Sequence, residues 1–539
     1  MTATSRMRHS CPTTLLGLGL VALAFAVAAV ATAPGIYSPD SLGQLLQAHR
    51  GVYNDGHPPI MAGLWSLLLR ATGTAVTLYW VHLGLLFSAF VMFALALRRA
   101  DLPAAVLLLL PAACNPAILN FVGVLWKDVG LAVSLAFCFA CVALSRAARA
   151  GRTATLLVVL VVSFYAVGVR HNAAPAVVPL LWLSLLPFFP RPGWWRRTVG
   201  IGALAVIGTG LLLVGGRVVS YDLMKATRIH FEQAIELYDL AGISVKSGVD
   251  VIPEQAKGAN FSSQALRAAY SPTSSSSLIF RADPAVPAPL QLTENPQYFT
   301  IFHQAWEHAI IHHPWAYLSH RGAVFASLLG SFFATVDYQE ASATFEAGVG
   351  VLGDPEVKSI NVGRTLPGQH VGASLLMAFI NWAEARTYLL FGWPWLLVLV
   401  ATFLAAILLR KRPMAEVAIG LSGSGLLYLL PYFFVAPGAD FRYLYWSIVA
   451  GNLSAVIVGG ISLQVTVEFL KSHESQSRKE GYARSWMNPH SAGPAGRSPS
   501  GKHPRVSPST TSRRPTRPAA AVGGSSHSLS LRDSISWRS

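Results

Sequence analysis

The chain has 539 residues, a mean hydropathy of +0.46 and 12% charged residues. Soluble globular chains carry about 25% charged residues and stop growing single cores near about 250–300 residues, so these figures exclude a soluble enzyme, a disordered chain and a disulfide-stapled secreted domain and point to a polytopic all-α membrane protein. The formal charge of +16 does not signal nucleic acid, because +9 of it sits in residues 471–539, which hold 12 Lys/Arg and 3 Asp/Glu.

Apolar runs lie at 14–33, 75–97, 103–120, 129–146, 153–169, 174–189, 198–215, 387–409, 414–435 and 443–464. Each is near the roughly 20 residues a helix needs to cross hydrocarbon. Three further stretches, 59–72, 321–336 and 370–385, are borderline. The first run follows Arg6 and Arg8 and reads as an uncleaved signal anchor, because many more spans come after it. Four cysteines, Cys11, Cys114, Cys138 and Cys141, lie in or beside apolar text. Cys138 and Cys141 form a CxxC inside VGLAVSLAFCFACVALS. A redox pair needs an exposed, electropositive setting, so plain helix packing is expected there.

The basic clusters set sidedness. Arg6/Arg8, Arg98/Arg99, Arg146/Arg149/Arg152, Arg191/Arg196/Arg197 and Arg410/Lys411/Arg412 share one side if the N-terminus is cytoplasmic. The last cluster requires an even number of crossings between 216 and 386, so 321–336 and 370–385 both cross or neither does. The expectation is 10–12 transmembrane helices, both termini inside, and 59–72 along the outer interface. The implied organisation is an N-terminal transmembrane module, 1–216, carrying catalytic outer loops. An outer segment, 217–320, a C-terminal transmembrane module, 321–465, and a basic cytoplasmic tail, 466–539, follow. The tail is rich in Ser, Pro, Gly and Arg and reads as disordered, held near the anionic inner leaflet.

Ionisable residues stand at the outer ends of these spans. The first outer loop carries Asp40 in GIYSPDSLGQ and His57 in YNDGHPP; the second carries Lys127 and Asp128. The third carries Arg170 and His171, and the last Arg442 and Tyr443 in ADFRYLYW. Each has a plain alternative: Asp40 and Asp128 can cap helices, and Tyr443 can anchor an interface. Ionisable groups at membrane depth are costly and usually line a polar cavity. Two arginines at outer helix ends suit a phosphate, and a nearby carboxylate suits a base that deprotonates a hydroxyl. A metal site is the competing chemistry. His303, His308, His312 and His313 cluster in FHQAWEHAIIHHPW, but Glu307 precedes the first of the i,i+4 pair and no fourth ligand stands near. Glu232, Glu236 and Asp239 read as a solvated helix face.

In order along the chain, an outer-loop Asp40, HPP opening the next helix, Trp126-Lys-Asp128 and Arg170-His-Asn172 are followed by His313-Pro-Trp-Ala-Tyr-Leu-Ser-His-Arg321 and Phe441-Arg-Tyr443. This set resembles the GT-C glycosyltransferases, polyprenyl-phosphate-sugar-dependent membrane enzymes that include the protein mannosyltransferase and aminoarabinose transferase types. The resemblance covers about residues 10–465. It implies a GT-C-like helical bundle whose outer loops form the site, and an inverting transfer with Asp40 and Asp128 as the catalytic acids. His57, Lys127, Arg170, His171, Arg442 and Tyr443 would then bind substrate. The donor would be a polyprenyl-phosphate sugar and the acceptor an envelope glycan, lipid or protein at the cytoplasmic membrane's outer face. A single Asp at 40, where many members carry an adjacent acidic pair, leaves a divalent cation and no cofactor both open. A polytopic transporter or lipid flippase is the alternative function.

Overall fold

The computed structural model describes residues 3–189, 194–279, 288–330, 360 and 371–487. Among these residues there are helices and isolated bridges but no strand. The chain is an all-α polytopic membrane protein: eight described helices are long and apolar enough to cross a membrane, and Pro103–Ala113 and Gly392–Leu408 are shorter apolar helices.

The first half contains α1 (Ala3–Thr32), α2 (Pro39–Arg50), α3 (Pro59–Thr72), α4 (Thr77–Arg99), α5 (Pro103–Ala113) and α6 (Pro116–Leu119). It continues with α7 (Lys127–Ala148), α8 (Arg152–Val169), α9 (Ala174–Leu185) and α10 (Trp194–Arg217). The run expected as one span over 103–120 is broken into α5 and α6. Asn115 caps α6 through a bond from Ala117 N, and Pro116 opens that helix; a proline at N1 has no N–H to lose. The borderline stretch 59–72 forms α3 over the expected residues.

The stretch between α10 and α15 supplies α11 (Gln233–Ser247), α12 (Ser263–Ala269), α13 (Ser276–Ile279) and α14 (Pro296–His312). Then come α15 (Pro314–Gly330), α16 (Val371–Arg386), α17 (Gly392–Leu408), α18 (Ala415–Leu429), α19 (Tyr432–Val435) and α20 (Tyr445–Met487). The end of the 321–336 candidate lies outside the described residues, as do Arg191 and the tail beyond 487. The tail was expected to lose order near 471. Helix instead continues through Met487, since no proline interrupts the sequence before Pro489.

Residues 1–472 form one compact unit. At its centre α7 packs against α4 and α8, and α18 packs against α9 and α17. The outward faces of α1, α8, α10 and α17 expose Leu23, Val161, Leu211 and Leu404. Such stripes match hydrocarbon, in which backbone polar groups must be paired within the helix. The cysteines follow the packing expectation: Cys138 is buried in α7, and Cys114, Cys138 and Cys141 are free thiols.

Candidate functional site

Four chain segments meet at one end of the bundle, where α7 and α20 begin and where α8 and α19 end. The loop before α2 is tied to the loop before α7 by Ile36 N to Gly123 O (2.9 Å) and Leu125 N to Ile36 O (3.1 Å). Ser38, not Asp40, caps α2: its Oγ accepts from Ser41 N, while Ser41 Oγ accepts from Ser38 N. Trp126 Nε1 donates to the same Ser38 Oγ at 2.6 Å. The cap position is filled, so the Asp40 carboxylate is free to face the site. Asp128 likewise caps nothing, since Trp126 holds the N-cap position of α7 without a side-chain bond.

The acids and arginines pair across the fold. Arg442 Nη1 donates to Asp40 Oδ2 at 2.8 Å, and its Nε lies 2.7 Å from Asp440 Oδ2. Arg170 Nη1 contacts Asp128 Oδ1 at 2.8 Å and Oδ2 at 3.0 Å, and its Nε donates to Tyr432 OH at 3.0 Å. The two pairs differ in access to water. The Asp128 side chain is 1% exposed and that of Arg170 11%, whereas Asp40 is 35% and Arg442 18% exposed. Tyr443 joins them: its ring lies 4.9 Å from the Arg170 guanidinium and 5.5 Å from that of Arg442. It also stacks on Tyr432 at 5.3 Å.

Three consecutive residues at the start of α7 serve three different partners, because the chain turns there from extended backbone into helix. Trp126 lies under Arg442, 4.6 Å from its guanidinium. Lys127 Nζ is 2.8 Å from His57 Nδ1. Asp128 holds Arg170. His57 turns its other nitrogen, Nε2, to Asp40 Oδ1 at 3.7 Å. A lysine ammonium only donates, so Nδ1 accepts and a neutral His57 carries its proton on Nε2, facing Asp40.

These neighbours set the titration. Burial pushes the Asp40 carboxyl up, but Arg442, His57 and Lys127 together outweigh it and hold the group below its ordinary range. Burial, then the charge of Lys127, lowers His57 to about 4. Asp440 moves the other way: its burial outweighs the pull of Arg442 and raises it. On acidification Asp440 therefore takes a proton before Asp40 does.

The structure thus brings together Asp40, Asp128, His57, Lys127, Arg170, Arg442 and Tyr443. His171 is exposed, with Arg217, Asp55 and Lys127 as its charged neighbours. Sequence reasoning missed Asp440, Trp126 and Tyr432 as members of the site. The Asp440-x-Arg442 spacing was the available signal for the first. Among the described residues no three His, Cys, Asp or Glu side chains converge as a cation site. The histidine cluster is otherwise engaged: His303 pairs with Glu236 at 2.8 Å, and His308 stacks on His312. Asp239 departs from the expected solvated face. It is fully buried against Arg321 and His320.

An apolar cavity of about 550 Å³ opens between α3, α4, α7 and α8, on the side where Leu67 and Val161 are exposed. Ile60 and Leu64 of α3, Ser134 of α7 and Phe164 and Tyr165 of α8 line it. These are the helices whose ends carry His57, Asp128 and Arg170. At about 1.5 Å rise per residue, Tyr165 and Ser134 stand roughly 8–9 Å along their helices from Arg170 and Asp128. A Cβ added at Gly168 would meet Ile60 at 2.8 Å, so glycine there permits the close crossing of α3 and α8.

Against family models, curated proteins and solved structures, the chain has no significant match.

Proposed function

We propose that this chain is a membrane glycosyltransferase that moves one sugar from a polyprenyl-phosphate carrier to an acceptor at the outer face of the cytoplasmic membrane. The observation that carries this reading is the pair of acid–arginine contacts, Asp40–Arg442 and Asp128–Arg170, joined through Tyr443, with an apolar cavity further along the helices that begin or end near His57, Asp128 and Arg170. A lipid-linked phosphosugar has those two halves, an anionic head and a hydrocarbon tail. The GT-C resemblance adds the role of Asp40, while the sealed pairing of Asp128 with Arg170 gives that acid a supporting place in this reading, in which both termini lie inside.

Asp40 acts as the base. The acceptor oxygen attacks the anomeric carbon while its proton passes to the Asp40 carboxylate. The bond from that carbon to the phosphate oxygen breaks, and its electron pair leaves with the phosphate. Arg442 serves both ends of this exchange. In the free protein it holds Asp40 low, which makes a weak base. A phosphate that draws Arg442 away removes that pull, and Asp40 gains basicity when the donor is in place. As protonation neutralises Asp40, the phosphate gains the charge that Arg442 then balances. The Asp128–Arg170 pair is nearly closed to water and fixes Tyr432 and Tyr443 as a wall for the site.

A transporter would hold its ligand near mid-membrane between paired broken helices, whereas these charges stand at helix ends. The test is transfer of a labelled sugar from a polyprenyl-phosphate donor to membrane acceptors by the reconstituted protein. Label reaching the acceptor supports the reading. Solute uptake with no label transferred favours transport.

A further inference from the structure

A second charged cluster lies away from the site. Asp239 of α11, with Arg321 and His320 of α15, is 0% exposed. Arg321 Nε lies 2.6 Å from Asp239 Oδ1, and His320 Nε2 lies 3.2 Å from the same oxygen. Trp306 Nε1 donates to Asp239 Oδ2 at 2.8 Å, and Tyr270 OH meets His320 Nδ1 at 2.9 Å. A buried ion pair gives little net stability over apolar packing of the same volume, so fold stability alone does not call for this one.

Its outward reach is specific. Arg321 Nη1 donates to the main-chain carbonyl of Ala436 at 2.8 Å. Ala436 ends α19, four residues after Tyr432, the partner of Arg170, and six before Arg442. The next residues are clamped from the other side: Ser275 N donates to Pro437 O at 3.1 Å and Ala439 N to Thr273 O at 2.7 Å. The approach is close, since a Cβ at Gly438 would stand 2.6 Å from Thr273 O. Asp440 then caps the short turn Phe441–Leu444 by accepting from Arg442 N at 3.1 Å, and its other oxygen holds the Arg442 side chain.

We infer that Arg321, oriented by Asp239, is a positioning residue that fixes residues 436–440 and thereby sets Arg442 against Asp40. Arg321 touches none of the reacting groups. Its guanidinium spans two partners, a carboxylate on one edge and a carbonyl on the other, as a lysine ammonium cannot. The inference deepens the glycosyltransferase reading and rests on it for the activity readout, while its structural readout stands alone.

The experiment uses the full chain in lipid and five variants: Arg321→Lys, Gly438→Ala, Arg442→Ala, and each of the first two combined with Arg442→Ala. Arg321→Lys keeps the charge beside Asp239 but loses the fork. Gly438→Ala leaves the ion cluster intact and forces the 273–275 segment away. Hydrogen exchange at the Ala439 and Ser275 amides should quicken in Arg321→Lys and in Gly438→Ala. kcat for transfer should fall by up to about 10²-fold, the scale of a misplacement of about 1 Å. In the Arg442→Ala background the further loss should shrink to under about threefold, because the two residues act through one contact. Unchanged exchange at these amides, or full additivity with Arg442→Ala, overturns the inference. If the unmodified protein transfers no sugar, the functional reading fails, and exchange at the two amides still decides the positioning role. If Arg321→Lys does not fold, Gly438→Ala decides by the same readouts.

Discussion

Replacing Arg170 and replacing Arg442 by alanine should fail in different ways. Asp128 is 1% exposed and both its oxygens meet Arg170, at 2.8 and 3.0 Å. Arg170→Ala leaves that carboxylate buried and unpaired, which costs about 3–5 kcal/mol. Tyr432 also loses a donor, worth about 1 kcal/mol. Arg442→Ala strips Asp40 and Asp440, but those side chains are 35% and 31% exposed. Both keep partial contact with water, so the stability loss should be smaller than for Arg170, about 1–2 kcal/mol. The functional loss should be larger: a charge-assisted contact to donor phosphate is worth about 1.5–3 kcal/mol, or roughly 10–10²-fold in kcat/KM. Thermal unfolding in detergent and transfer kinetics in lipid measure the two quantities side by side. Adding Asp128→Asn to Arg170→Ala removes the stranded charge and should recover part of the lost stability. Equal destabilisation by the two arginine variants would refute the division between a sealed structural pair and an open functional pair. So would an Arg170→Ala protein as stable as the unmodified chain.

Asp40→Asn should lower transfer by about 10²–10⁴-fold, and the melting temperature should hold because Ser38 supplies the α2 cap. Ser38→Ala should cost about 0.5–2 kcal/mol in thermal unfolding and free the Trp126 indole from its 2.6 Å bond. His57 is lowered to about 4 from an ordinary value of 6.5, so between those limits the unfolded chain binds more protons. Its contribution is therefore complete above 6.5 and lost as pH falls toward 4. His57→Gln should flatten unfolding curves in that window by on the order of 1–3 kcal/mol. Leu64→Trp should narrow the apolar cavity and raise KM about tenfold for a long-chain donor while sparing a short-chain one, since hydrocarbon burial scales with chain length.

The apolar runs of the sequence map onto helices because a stretch of about 20 apolar residues has few other stable fates. Two runs broke: 103–120 at Asn115-Pro116, where a side-chain cap outweighed continued hydropathy, and 414–435 at Leu430-Pro431. The charged site residues were legible one by one, since each stood at an apolar run's end, where a charge needs a reason. Their pairing was not. Asp40 and Arg442 are 402 residues apart, and no local pattern says which acid meets which arginine. Asp40 itself read equally well as a cap until Ser38 was seen to hold that position. Asp239 was misread for the same reason. On α11 it resembles one more polar residue beside Glu232 and Glu236, and only the approach of Arg321 from α15 makes it a buried ion. Trp126 stood out only as the flank of Lys127 and Asp128, and Tyr432 carries no charge, so nothing in its sequence setting separated it from the other aromatics.

If the anomeric bond of a polyprenyl-phosphate sugar breaks at the Asp40–Arg442 pair, the reaction frees polyprenyl phosphate. Release of free polyprenyl phosphate tests it most directly, followed in one vesicle preparation with unmodified protein and with Asp40→Asn at equal amounts. Release by the unmodified protein should depend on acceptor and fall by at least about 10²-fold in the variant. Equal release from both proteins, or none from either while both remain folded and bind the donor, would contradict it.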